Sequence, residues 1–472
     1  MPALSSAPGM LPVASLVPHR SALARRAFVF LTARDGGRPL HAQPSRSMEA
    51  LPPADESMAW ISLDDRVAYQ EIEGFGGAFT EAAAETLLHM PEPVQEEILR
   101  AYFDPEAGHG YTLCRTHINS CDFSLGLYAH CEREGDFELA SYSIDRDRRA
   151  LIPMIRRARE IAGGELRLLA SPWSPPAWMK TNGRMTGGGK LRPECRDAWA
   201  RCYVRFIEEY AREGIPIWGL TVQNEPAATQ RWESCVYTAE EERDFVRDHL
   251  GPVLHAAGMS EVRLVIWDHN RNLLYERVRV VLDDPAAARY VWGVGFHWYV
   301  ADCHENLQRV HDAWPDKKLL FTEGCQEGGP HAGSWLTGER YARSIIRDMN
   351  HWTAGWIDWN LLLDETGGPN HAANPCSAPI LADREAGTIR YQSSYHYIGH
   401  FARFVRPGAR RILCASGSDD LEATAFRNPD GTLVTVILNA TERTLPFALS
   451  LRGQGTVLTA PARSIQTVVL SS

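Results

Sequence analysis

No stretch of eighteen consecutive apolar residues occurs in the 472-residue sequence, which excludes a helical membrane span. Runs of lysine or arginine are also missing. The formal charge of −10 and a pI near 6.0 leave no electrostatic footprint for nucleic acid or an anionic membrane surface. A neutral or weakly charged small substrate suits such a surface better. Neither a Cys-x-x-Cys pair nor a His-Glu-x-x-His helix is present. Although His297, Cys303 and His304 are close in sequence, no metal and no cofactor is expected. The stretch Gly187-Gly188-Gly189-Lys190 lacks P-loop spacing and a preceding apolar strand, and it reads as a mobile surface loop. Internal repeats and low-complexity linkers are absent. The ten cysteines follow no repeating spacing, and Cys114, Cys121 and Cys202 fall in apolar or helical segments. Mostly free thiols are expected, which leans toward a reducing, cytoplasmic setting with secretion as the alternative.

With 44% hydrophobic and 23% charged residues, the chain has enough apolar material for one large domain and a smaller one. Residues 1–55 are rich in Ala, Pro, Ser and Arg, and Arg25-Arg26 before Ala27-Phe28-Val29-Phe30-Leu31 is a poor imitation of a secretory signal. They are expected to be a disordered extension, or to precede a true start near Met48. From about Trp60, short apolar runs alternate with longer amphipathic ones. Strands are expected at 74–79, 111–116, 165–171, 217–222, 262–267, 291–297, 318–322 and 355–359, with helices such as 93–102, 197–213, 239–249 and 338–352 between them. Eight such units predict a (β/α)8 barrel over 74–404. Beyond it, short β-branched runs and turns at Asn428-Pro429-Asp430-Gly431 and Arg452-Gly453 predict an antiparallel β-sandwich over 405–472. Residues 56–73 are expected to lend that sandwich a strand.

Two strand-like runs end on glutamate. Thr221-Val222-Gln223-Asn224-Glu225-Pro226 closes the fourth, where the proline stops the strand and disfavours helix at Glu225. Phe321-Thr322-Glu323-Gly324 closes the seventh, and the glycine permits close approach of a ligand. Barrel chemistry sits at the C-terminal strand ends. A pair of carboxylates there matches glycosidic cleavage, in which one group protonates the leaving oxygen and the other attacks the sugar.

The segments Gly74-Phe75-Gly76-Gly77-Ala78-Phe79-Thr80-Glu81, Ser120-Cys121-Asp122-Phe123-Ser124 and Ala170-Ser171-Pro172-Trp173 carry a further signal. So do Met179-Lys180-Thr181-Asn182-Gly183, Gln223-Asn224-Glu225-Pro226, His297-Trp298-Tyr299, Phe321-Thr322-Glu323, Asp358-Trp359-Asn360 and Gly367-Gly368-Pro369-Asn370. In this order they resemble glycoside hydrolase family 30, and within it the glucosylceramidases. The resemblance runs from about residue 70 to 470. It implies a barrel with an attached sandwich and a retaining double displacement, with Glu225 as acid/base and Glu323 as nucleophile. It further implies that Asp122, Trp173, Asn224, Trp359 and Asn374 grip the glucose hydroxyls, that His297 and Tyr299 sit beside the carboxylates, and that Arg115 supports them from below. Trp232, in the loop after Glu225, joins the substrate-contacting set. Departures fall on the leaving-group side: Arg115-Thr116-His117 stands where the animal members have Arg-Val-Pro, His371 replaces a tryptophan, and the loop holding Gln230, Trp232 and Glu233 is shorter.

The expected partner is thus a β-glucoside or glycolipid, cleaved by carboxyl groups about 5 Å apart. A β-1,6-glucanase, β-xylosidase or β-fucosidase would use the same scaffold. A non-catalytic carbohydrate-binding protein is the alternative of another class.

Overall fold

Eight parallel strands close into a barrel in the computed structural model, which describes residues 25–37, 39–51, 58–164 and 166–471. In chain order they are Gly74–Phe79, Leu113–Ile118, Arg167–Pro172, Gly219–Thr221, Arg263–Asn270, Val291–His297, Lys318–Glu323 and Thr353–Asn360, and the last pairs with the first. Helices cover the outside through one apolar stripe each. Arg196–Arg212, for example, buries Trp199, Cys202, Tyr203, Phe206 and Tyr210 at helical spacing. All eight lie at the expected places, most with shifted ends, and two of the differences have a clear cause. The second is displaced by two residues because polar Thr116 and His117 still pair, with Ala170 and Ser171. The fourth is shorter, since only Gly219, Leu220 and Thr221 sit in the ladder.

The barrel interior is layered, because every second residue of a strand points inward. Leu113, Leu169, Val265 and Leu320 form an apolar floor with Ile357, packed against Trp218 and Trp292. Two positions further along three of these strands come Arg115, Ser171 and Thr322, all fully buried. A polar layer therefore lies directly beneath the mouth. At Gly76 in the first strand, a Cβ would come within 1.8 Å of the Leu113 carbonyl oxygen, so the close approach of the first two strands requires glycine there.

The second unit is an eleven-stranded, mostly antiparallel sheet. Leu433–Asn439 and Ser464–Leu470 are buried along their whole length because both faces are covered. Val434, Val436 and Leu438 join the large core shared with the barrel helices, whereas Leu433 and Ile437 join the sandwich's own core. Ala59–Glu71 lies between Arg410–Ser416 and Leu445–Leu451.

The expectation of an extension up to residue 55 is corrected here. Arg26–Ala33 is a full strand, zipped antiparallel to Ser464–Leu470 from Ala27 opposite Leu470 to Ala33 opposite Ser464. Its alternation is the physical reason: Ala27 and Val29 enter the sandwich core while Phe30 enters the core shared with the barrel. Met48 is itself buried, so a start there would remove an integral strand. Residues 1–24, 38 and 52–55 of that expectation lie outside the described residues. No helix among the described residues is long and apolar enough to cross a membrane. All ten cysteines are unpaired.

Candidate active site

Glu225 lies just beyond the fourth strand in the left-handed backbone region, φ +49°, and its N–H donates to the Asp268 carbonyl at 3.0 Å. A non-glycine residue pays for that conformation only where the surroundings enforce it. Glu323 is the last residue of the seventh strand. One carboxylate oxygen from each, together with a ring nitrogen of His297, lie within 4.8 Å of one another. That is the spacing of direct attack, about 5 Å, and not the roughly 6.5–9.5 Å that leaves room for an intervening water.

Beneath the pair, Arg115 is fully buried and uses all five of its N–H donors. Nε donates to Ser171 Oγ at 3.0 Å, Nη1 to Glu323 Oε2 at 2.8 Å and the Thr322 carbonyl at 3.1 Å, and Nη2 to Asn224 Oδ1 at 2.9 Å and Asp268 Oδ2 at 2.7 Å. The hydroxyl of Tyr299 donates to Glu323 Oε1 at 2.9 Å. Both nucleophile-candidate oxygens are thereby fixed. His297 faces Glu225 Oε1 with Nδ1 at 3.2 Å and Asp268 Oδ1 with Nε2 at 3.0 Å.

Asp268 is the central residue that sequence reasoning missed. It accepts from Arg115, Thr221, Thr322 and His297. Strand alternation from Val265 would point Trp267 inward instead. A register shift in the fifth strand, with Trp267 at φ +71° and Asp268 at φ +50°, turns the tryptophan out to the barrel's outer core and brings the aspartate in. The polar run Trp267-Asp268-His269-Asn270 at a strand end was the available signal. His269 Nε2 also approaches Glu225 Oε1, at 3.9 Å.

The residues expected to hold the sugar gather beside the two carboxylates. Trp173 and Trp359 stack at 5.2 Å and belong to one cluster with Cys121, Phe123, Cys325 and Cys376, against which Trp232 and Tyr299 pack. Asn374 Nδ2 donates to Asp122 Oδ2 at 3.1 Å. Because Asn224 Oδ1 is taken by Arg115, its amide presents the NH2 end to a ligand. Burial first, then the Glu323 charge, lifts Asp122 to about 8 against the bond from Asn374.

The Gly187–Gly189 loop is not a free surface loop, which corrects that reading. Gly187 N–H donates to the Gln230 carbonyl, Gly188 N–H to Ser234 Oγ and Val236 N–H to the Gly189 carbonyl, so it braces the loop that carries Gln230. Three consecutive left-handed residues, φ +71°, +70° and +76°, account for three glycines.

Glu225, His297 and Glu323 have the donor spacing of a metal site. Both ring nitrogens of His297 already face carboxylates, and a doubly engaged imidazolium offers no lone pair.

Comparison with known proteins agrees with the barrel-and-sandwich fold. The model of the glycosyl hydrolase family 30 TIM-barrel domain matches residues 72–405, and that of the family 30 β-sandwich domain matches 408–468. The chain belongs to glycoside hydrolase family 30. Among relatives of this family 30 enzyme, putative glucosylceramidase 3 of Caenorhabditis elegans is 37% identical over 94% of this chain and 88% of its own. The lysosomal acid glucosylceramidase of Mus musculus is 37% identical over 83% and 79%. Among solved structures, SrfJ from Salmonella typhimurium superposes with a TM-score of 0.91 at 39% identity, covering 94% of this chain and 99% of that one. An endo-β1,6-glucanase gives 0.84 at 28%, covering 94% and 99%. The family 30 chain is a glycosidase.

Protonation in this family 30 site is collective. Burial opposes charge on His297, but Glu323, Asp268 and Glu225 outweigh it and raise the imidazole to about 9. Burial also acts upward on Asp268, where Arg115, His297 and Thr322 prevail and hold it well below the usual carboxylate range. Glu225 is pushed up by burial and pulled down further by the His297 bond and the histidine charges. Glu323 ends above the ordinary range: burial and Glu225 exceed the pull of His297 and Arg115. Two carboxylates this close do not both stay ionised, so they carry one proton as a pair and titrate together.

A bell-shaped pH profile of kcat/KM on a neutral glycoside is expected. Its acid limb lies below the ordinary glutamate value, where the pair takes up a second proton, and its alkaline limb lies above that value, where the pair loses the proton it shares. By linkage, the stability His297 contributes is fully present below its unfolded value near 6.5 and is lost as pH rises through about 9. Asp268→Asn removes an anion whose charge raises Glu323 and should move the alkaline limb to lower pH. A limb that stays in place in that variant refutes the coupling.

Proposed function

We propose that this glycosidase removes β-linked glucose from a glycoside such as glucosylceramide by double displacement, with Glu225 as acid/base and Glu323 as nucleophile. The observation that carries this reading is the pair of carboxylates within 4.8 Å, with Arg115 and Tyr299 on the two oxygens of Glu323. Catalysis uses the arrangement in which the shared proton, favoured on Glu323 in the free enzyme, has passed to Glu225, while two donated hydrogen bonds stabilise the Glu323 anion. Glu323 attacks the anomeric carbon as Glu225 passes its proton to the glycosidic oxygen, so the aglycone leaves as an alcohol and the sugar becomes an ester of Glu323. Glu225, now a carboxylate beside the His297 imidazolium, takes a proton from water, whose oxygen displaces Glu323 from the sugar. Asn224, its amide oriented by Arg115, offers its NH2 to the 2-hydroxyl, a contact that strengthens in the transition state.

Incubation with a 2-deoxy-2-fluoro-β-glucosyl donor tests this. Mass spectrometry should find one covalent sugar on the peptide holding Glu323. A protein that binds sugar without turning it over forms no adduct, and label on another residue overturns the nucleophile assignment. A second reading, endo-acting β-1,6-glucanase, draws on the 28% identity to such an enzyme over nearly the whole chain. Rates on aryl glucoside, aryl xyloside, glucosylceramide and β-1,6-glucan separate the two.

A further inference from the structure

We propose that His371 is a positioning residue for this hydrolase, clamping three mouth loops together so that Asp122 and Asn374 keep the geometry needed to hold the sugar. The proposal rests on the reading that these two residues contact the glycone.

His371 follows the eighth strand, in a segment folded on itself by Asn370, whose side chain accepts from the Ala372 and Asn374 N–H groups and donates to the Asn374 carbonyl. Its Nε2 lies 3.1 Å from both carboxylate oxygens of Glu233 and 3.1 Å from the Cys121 carbonyl. Its own N–H donates to the Ser124 carbonyl at 3.3 Å. The imidazole thus ties the loop after the eighth strand to the loop after the fourth, through Glu233, and to the loop after the second, through Cys121, while the backbone N–H of the same residue holds Ser124 on the other side of Asp122. The Glu233 side chain is fully buried, and His371 is its ion-pair partner. A buried carboxylate stripped of its partner is costly.

The functional consequence follows from what each loop carries. Asn374, three residues beyond His371, donates to Asp122, and Asp122 sits next to Cys121. Trp232 precedes Glu233 and packs on the wall formed by Trp173 and Trp359. Without the clamp, the Glu233 charge would lack its partner beside Asp122, which already feels it, and the 370–376 segment would lose its bonds to Cys121 and Glu233. Arg231, which donates to the Ala373 carbonyl, is exposed and cannot replace them. The two catalytic carboxylates are held by Arg115, Tyr299 and His297, none of which touches His371, so their chemistry should persist.

The test compares His371→Ala and His371→Gln with the parent on an aryl β-glucoside. The alanine variant should raise KM about tenfold with kcat within about threefold, the signature of lost binding. The glutamine variant, whose amide can still donate to Glu233 and Cys121, should return KM to within about threefold of the parent. Amide hydrogen exchange over 370–376 should quicken in the alanine variant only. An unchanged KM, or a fall in kcat and Tm together without rescue by glutamine, overturns the proposal. Should His371→Ala fail to fold, Glu233→Ala is measured in its place, with the same KM rise expected, Glu233→Gln as the rescuing variant, and the same outcomes decisive. If the parent itself does not cleave the glucoside, the functional reading has failed instead, and hydrogen exchange alone then decides the clamp.

Discussion

A Glu323→Gln enzyme turns over an aryl β-glucoside at least about 10⁴-fold more slowly than its parent. The amide keeps the shape of the carboxylate and can still accept from Arg115, so the fold and Tm should change little. What is lost is the anion that forms the glycosyl ester. Further truncation to glycine leaves room for azide, which should then attack the anomeric carbon directly and give the α-glucosyl azide, inverted relative to the substrate. Retained turnover within tenfold of the parent, or a β-product from the glycine variant with azide, would sink the assignment.

Glu225→Ala gives the second large effect, and its pattern matters more than its size. Removing a general acid slows the reaction by about 10²–10⁴ where the leaving group needs a proton. A dinitrophenyl glucoside needs none, so its first step should run close to the parental rate, with the glycosyl enzyme accumulating and KM falling. Azide should restore turnover and give the β-glucosyl azide, because it attacks after one inversion has already occurred. Equal loss on phenyl and dinitrophenyl substrates would remove Glu225 from the acid role. Together the two variants assign roles by product stereochemistry, independent of any likeness to other proteins.

The barrel strands were legible because buried parallel strands are short apolar runs, and Glu225 and Glu323 were legible because one follows such a run and the other ends one. Asp268 was not, since its inward aim depends on two left-handed residues that move the strand off its alternation. The Arg26–Ala33 strand was missed for a different reason. Its apolar run is short, its upstream composition resembles an extension, and the strand that pairs with it begins at Ser464, beyond any local window. The glycine run at 187–189 was read by motif spacing, whereas its role is conformational, in a loop docked on the one that bonds Glu225 through Gln230.

The zip between Arg26–Ala33 and Ser464–Leu470 has a consequence for biosynthesis. Of the described strands, the first to leave the ribosome waits for one that begins at Ser464, an interval of roughly 20–90 s at bacterial-to-eukaryotic elongation rates of about 5–20 residues per second. During that time its apolar stripe has no native mate. The barrel between them is free to fold first, and closure of the sandwich becomes a late, non-local event. A nascent chain stalled short of Ser464 would therefore expose an adhesive β-edge, the species on which a chaperone would act.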